Sequence, residues 1–229
     1  MSKPLEQASA VVLGCCALVV TLLLVRRELF TDPAQAPAPT PVLHEADWEE
    51  LGRRGVTVGD STAPVQVVVF SDYACPFCFQ LDRDLTALRE EEPGAIRVVF
   101  RHYPNSDLHP GAKLAALGAE CAADLGRFSR LHTLLFEHFN ADREGSVLAR
   151  PELVQMSVRA GVVDTGQFSR CLDSPRAAEA VLRDSAEAVE RRISGTPLVF
   201  VNARRIDGAV PRDALRRILR EERQSNAAK

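Results

Sequence analysis

The sequence predicts an α/β fold in which a β-α-β unit and a closing β-β-α unit are separated by an all-helical insert, behind an N-terminal apolar anchor. Three observations carry this. The apolar run Val65-Gln66-Val67-Val68-Val69-Phe70 leads through Cys75-Pro76-Phe77-Cys78 into a segment of helical periodicity. The stretch from Pro110 to about Arg192 repeats its apolar residues at helical spacing. Leu198-Val199-Phe200-Val201 then returns to β character ahead of a last amphipathic helix.

Taken in order, Val56-Thr57-Val58 is a short strand, and Gly59 to Pro64 is a turn. Val65 to Phe70 is a buried strand, and Phe77 to about Glu91 is a helix ended by Pro93-Gly94. Ile96 to Phe100 is another strand. Helices follow from Ala112 onward, over Phe128 to Phe139, Pro151 to Ala160, Thr165 to Leu172 and Ala177 to Arg192. Pro151 and Pro175 stand where helices start, and Gly126, Gly145 and Gly161 where they end. Arg204-Arg205-Ile206 is the hairpin partner of Leu198–Val201, and Pro211 to Glu222 closes the chain with Leu215, Ile218 and Leu219 on one face. This is a thioredoxin-type order, interrupted by a helical insert over about 106–192 within a domain over 42–229.

The first sixty residues read as a delivery device, with an anchor and a spacer over 1–41. Ala8 to Val25 is uncharged and apolar, long enough as a helix to cross most of a hydrocarbon core of about 30 Å. Residues 1–30 are therefore expected to be an uncleaved membrane anchor. Cleavage is the weaker reading, because no small-x-small site follows directly. Val12-Leu13-Gly14-Cys15 is a poor lipoprotein box, given the long apolar run beyond the cysteine. Residues 31–41, with Pro33, Pro37, Pro39 and Pro41 among alanines, form a semi-rigid spacer. Arg26 and Arg27 taken alone would keep the domain in the cytoplasm. The cysteine chemistry argues for the opposite side and outweighs so small a bias.

The chemistry lies in Cys75-Pro76-Phe77-Cys78. A first cysteine at a strand-to-helix junction meets the unsatisfied N–H groups and the positive end of the helix dipole, which favour its thiolate. Cys78, one turn in, is shielded and within reach to close a disulfide. Pro76 suits the first turn, where a missing N–H costs nothing. A zinc site would need two more ligands in a close pair, whereas His44, His102, His109, His132 and His138 are scattered, so no metal is expected. A purely structural bridge across so short a loop gains little chain entropy.

Phe70-Ser71-Asp72-Tyr73-Ala74-Cys75-Pro76-Phe77-Cys78 and Gly195-Thr196-Pro197-Leu198-Val199-Phe200-Val201-Asn202 resemble the two signature blocks of the DsbA-like thiol oxidoreductases. Arg101-His102-Tyr103-Pro104, His109-Pro110, Ala119-Glu120-Cys121-Ala122 and Phe168 with Cys171-Leu172-Asp173-Ser174 resemble that family's insert. The match runs from about Gly59 to Arg220. It implies that Cys75 and Cys78 are the redox pair, with a cis Thr196-Pro197 bond against them. It also implies a second disulfide between Cys121 and Cys171, the alternative being two buried thiols.

The departures matter as much. Phe77 stands where the strongest oxidants have histidine, and it offers the thiolate no donor. Val69 stands where relatives often place a buried acid. Asp72 is the nearest carboxylate, and either proton transfer or turn capping would account for it. Ala203 replaces a frequent glycine at a hairpin.

A net charge of −3 with interspersed signs leaves no footprint for nucleic acid. The leading functional expectation is a membrane-tethered, extracytoplasmic (periplasmic) oxidoreductase that introduces disulfides into exported proteins. It needs no cofactor beyond its own Cys75–Cys78 disulfide, and a membrane partner re-oxidises it. A reductase or isomerase, for example one serving cytochrome maturation, is the alternative, although residues 42–55 are too few for the dimerisation domain such isomerases use. A non-enzymatic binding module on the same scaffold is the third reading, disfavoured by the retained cysteines.

Overall fold

Hydrophobic strands buried on both faces decide the architecture. The computed structural model describes residues 16, 18–22, 43–44, 46–141 and 147–227. The chain divides into two units, Met1–Pro41 and Val42–Lys229. In the first, residues 16 and 18–22 are helical; the rest of the expected anchor and the whole 31–41 spacer lie outside the described residues. Among the described residues no helix is long and apolar enough to cross a membrane.

The second unit is built on a six-stranded sheet of β1 (Leu43–His44), β2 (Val56–Val58), β3 (Val65–Ser71), β4 (Ile96–His102), β5 (Leu198–Val201) and β6 (Arg204–Asp207), in the spatial order β1-β6-β5-β3-β4-β2. Only β3 and β4 run parallel; the other pairs are antiparallel. A parallel pair needs a crossover, and helix α2 (Pro76–Glu91) supplies it. A short helix, α1 (Trp48–Leu51), precedes β2. The insert between β4 and β5 holds α3 (Ala112–Asp124), α4 (Phe128–Ala141), α5 (Arg150–Arg159), α6 (Thr165–Leu172) and α7 (Pro175–Glu190), and α8 (Arg212–Ala227) follows β6.

β3 has neighbours on both sides and layers on both faces, which explains its near-continuous apolar run. Val65, Val67 and Val69 face a core that includes Leu81, Leu85 and Leu88 of α2 and Leu215 and Leu219 of α8. Val68 and Phe70 face the other layer with Val99, Leu198, Phe200 and Ala188 of α7. Gln66 breaks the pattern at little cost because its amide group is satisfied: Nε2 donates to the Trp48 carbonyl at 3.0 Å, and Oε1 accepts from Arg97.

Within the insert, α3 buries Ala112, Ala115, Ala116, Ala119 and Ala122, so neighbouring helices approach it closely. A Cβ on Gly118 would lie 2.7 Å from Leu153 of α5, so glycine there is a packing requirement. The β5–β6 hairpin asks for a positive φ (50°) at Asn202. Alanine at 203 is accommodated, since the left-handed residue of the turn is its neighbour.

One buried ionic network docks the insert onto the sheet. Arg101 of β4 is fully buried; its Nε donates to Asp184 of α7 at 2.6 Å, one terminal nitrogen to Glu187 at 2.5 Å and the other to the Leu51 carbonyl at 3.1 Å. Asp184 also accepts the His102 N–H at 2.8 Å. Burial alone would raise the Glu187 carboxyl, but the bonds from Arg101 and Arg191 hold it below its ordinary value. Removing the cation leaves the buried Asp184 carboxylate with only the His102 N–H, while Glu187 keeps Arg191. Arg101→Met should therefore cost about 3–5 kcal/mol in urea unfolding, and a loss under about 1 kcal/mol would mean the network adds little stability.

Candidate active site

The first turn of α2 sets the site. β3 ends at Ser71, and Asp72 turns the chain, its carbonyl accepting the Cys75 N–H at 3.1 Å. Cys75 is the N-cap residue in extended conformation, Pro76 opens the helix, and the Cys75 carbonyl accepts the Phe79 N–H at 3.1 Å. Proline leaves no donor to be orphaned at that position. Cys78 is 1% exposed, and Cys75 is 5% exposed. Both thiols are free in this structure, which shows the dithiol form.

The two sulfurs have opposite acidities. The side-chain hydrogen bond from Cys78 is the main force drawing the Cys75 thiol down to about 6. Desolvation opposes it, and the Cys78 N–H, the Thr196 side chain and the Phe77 N–H assist. Burial pushes Cys78 the other way, and a thiolate on Cys75 adds to that. A helix N-terminus therefore holds one nucleophilic or leaving sulfur and one protonated sulfur behind it.

Thr196 lies against Cys75. The Thr196-Pro197 bond is cis, and the Cys75 thiol donates to the Thr196 carbonyl at 3.4 Å. A groove of about 710 Å³ opens here, lined by Cys75, Pro76, Phe77, Asn105, Leu108 and Thr196 among others. Phe77 points outward and is 61% exposed; the only groups it brings to the sulfur are backbone. Val69 is buried in the apolar core, so no acid occupies that place.

Asp72 is buried, and both its oxygens are engaged. Oδ1 accepts the Ala74 N–H at 2.9 Å, and Oδ2 accepts the Asn105 N–H at 2.9 Å and lies 2.7 Å from Nδ1 of His109. Of the two readings open for it, this geometry favours turn capping. Cys121 and Cys171 form a disulfide (S–S 2.04 Å) that ties α3 to α6 inside the insert.

Three polar contacts around the site had no signal in the sequence. His109 meets Asp72. Tyr73, buried beside the redox motif, places its hydroxyl 2.8 Å from Nδ1 of His132, whose Nε2 is 2.9 Å from Asp82. Burial, then the Asp82 and Glu120 carboxylates, push the Tyr73 phenol well above its usual range, so it stays neutral. His102 meets Glu120 at 3.3 Å. Their partners are 18 to 59 residues apart, and only the tertiary fold brings them together.

Residues 53–221 match the family model described as Thioredoxin. The chain belongs to the thioredoxin family. Its fold is that of the DsbA-like proteins: it superposes on BdbD of Bacillus subtilis in the oxidised form with TM-score 0.67 at 24% identity, covering 80% of this chain and 96% of that one. The thiol-disulfide exchange protein alpha-DsbA2 of Wolbachia pipientis gives TM-score 0.66 at 18% identity, covering 76% and 91%. Among curated proteins, the chain is 35% identical over 157 residues to the Na(+)/H(+) antiporter NhaA 3 of Salinispora tropica, covering 69% of this chain and 23% of that protein. It spans about a quarter of the length of the curated relatives it matches.

Two outcomes should follow from this geometry. Alkylation of Cys75 in the reduced protein should rise with pH through a midpoint near 6, while Cys78 stays unreactive up to pH 9; equal rates for both thiols near pH 6 would reverse the assignment. Phe77→His adds a side-chain donor and should lower the Cys75 midpoint further, each unit being about 1.36 kcal/mol of thiolate stabilisation. An unchanged or raised midpoint would show that a donor at this position does not reach the sulfur.

Proposed function

We propose that this domain is a dithiol–disulfide oxidoreductase that oxidises exported proteins, with Cys75 as the exchanging sulfur. The observation that carries the reading is the acidic Cys75 beside the Thr196 carbonyl, at the mouth of a groove, with a protonated Cys78 behind it. In the oxidised enzyme a substrate thiolate attacks Sγ of Cys75, the S–S bond breaks, and Cys78 leaves and takes up a proton. A second substrate thiolate then attacks the substrate sulfur of the mixed disulfide and expels Cys75 as a thiolate. The substrate has lost two electrons, and a membrane partner able to accept two electrons restores the disulfide.

Residues 8–25 are proposed as the anchor, with the spacer and domain on the extracytoplasmic side. The Cys121–Cys171 bridge supports a compartment that does not keep thiols reduced. The match to part of several Na(+)/H(+) antiporters supports a membrane setting. A reductase or isomerase is the second reading, and one observation favours it: Phe77 gives the thiolate no side-chain donor, which tempers oxidising power.

With oxidised glutathione supplied to turn Cys75 into a mixed disulfide that a substrate thiolate can attack, Cys78→Ala should accumulate mixed disulfides between Cys75 and unfolded substrate proteins, and Cys75→Ala should accumulate none. Trapping by neither variant would remove the oxidoreductase reading. For placement, alkaline phosphatase fused after Lys229 should be active in a bacterial host; an inactive fusion together with a fluorescent cytoplasmic reporter at the same point would put the domain inside.

A further inference from the structure

His132 of α4 is a buried imidazole that takes no part in the exchange of sulfurs, and its surroundings do not favour a polar ring. Four aromatic side chains close around it, with ring centroids at 4.3 Å for Phe100, 4.9 Å for Phe128 and Phe136, and 5.3 Å for Tyr73. A phenylalanine would fill such a box and leave no polar atom to satisfy. What the imidazole adds is two polar atoms aimed in different directions from one rigid ring. Both are engaged: Nδ1 lies 2.8 Å from the Tyr73 hydroxyl, and Nε2 lies 2.9 Å from Oδ1 of Asp82. An ionised carboxylate only accepts, so Nε2 carries the proton that Asp82 takes, and Nδ1 of the neutral ring accepts from the Tyr73 hydroxyl.

The two partners bracket the redox motif. Tyr73 stands two residues before Cys75 in the loop that leaves β3, and Asp82 stands four residues after Cys78 on α2. One ring borne by the insert therefore grips the chain on both sides of the sulfurs. Between the two grips lie the N–H groups of Phe77 and Cys78 and the Cys78 thiol, which face the Cys75 sulfur as donors. How closely they face it depends on how loop and helix meet, because Cys75 is extended and α2 begins only at Pro76.

We propose that His132 is a positioning residue for the exchange reaction: through Tyr73 and Asp82 it braces both ends of the redox motif, so that the helical insert sets how firmly the start of α2 faces the Cys75 sulfur. This rests on the oxidoreductase reading and adds a residue to the same site.

The test uses the full chain, reduced, in detergent, and reads the pH midpoint of Cys75 alkylation, near 6 in the wild type. His132→Phe fills the box and removes both bonds. Loosening one donor to a thiolate is worth about tenfold in thiolate population, so the midpoint should rise by about one unit. The equilibrium with glutathione should move about tenfold towards the disulfide, about 30 mV for this two-electron couple. Tyr73→Phe removes a single hydroxyl and should shift the midpoint in the same direction. The double variant should shift it no further than His132→Phe alone, since the two residues act as one unit. His132→Gln, which keeps a donor and an acceptor, should recover most of the wild-type value. His138→Phe removes the 3.3 Å contact between another histidine of α4 and Glu152, and should leave the midpoint where it was.

An unmoved midpoint in His132→Phe and Tyr73→Phe would reduce His132 to a core residue and overturn the proposal. If His132→Phe does not fold, Tyr73→Phe decides alone. Additive shifts in the double variant, or an equal rise in His138→Phe, would overturn it as well. The midpoint is read on the sulfur alone, so its shift supports the brace even where failure of the wild type to oxidise a reduced protein removes the parent reading.

Discussion

A sulfur at the first turn of a helix governs this molecule. Cys75 caps α2, so N–H groups with no helical partner face it, and the Cys78 thiol behind it adds a side-chain donor. Those donors stabilise the thiolate, and with it the reduced form relative to the disulfide. Everything else near the site serves to keep that turn in place. β3 delivers the chain to the turn, Asp72 closes it, and Thr196 fixes the opposite wall.

The same reasoning explains why the fold tolerates so much polar burial. Arg101, Asp184 and His102 satisfy one another where the insert meets the sheet. Tyr73, His132 and Asp82 do the same where the insert meets the redox loop. Buried polar groups are stable when each has a partner and costly when one is removed. The insert is therefore more than a cover: it holds β4 through Asp184 and the redox loop through His132.

Much of this was legible in the sequence where local physics decides. The β3 run, the redox motif on a helix start, the segment Leu198–Val201 and the helix Thr165–Leu172 follow from apolar spacing and turn residues alone. α7 starts at Pro175, where the proline signal puts it, with Ser174 accepting the Ala177 N–H two residues before the apolar pattern begins. α8 runs on to Ala227, past the expected end at Glu222, where Arg223 pairs with Glu92 and the Asn226 amide donates to the Pro64 carbonyl at 2.7 Å. The strand Leu43–His44 and the helix Trp48–Leu51 were not foreseen; each is too short to show a period, and the first pairs with β6 while the second buries Leu51 against Val68 and Phe70. Asp72 shows the limit most clearly. Its type and place left proton transfer and capping open, and only the arrival of Asn105 and His109 from the next loop separates them.

The claim on which the account turns is that donors at the helix start stabilise the Cys75 thiolate and so make the Cys75–Cys78 disulfide oxidising. The equilibrium of this pair with glutathione, measured on the full chain at neutral pH, tests it directly. The account predicts a potential tens of millivolts above the value of about −270 mV that marks a thioredoxin reductant, short of the value of about −120 mV of the strongest oxidants. A potential at or below about −270 mV would contradict it.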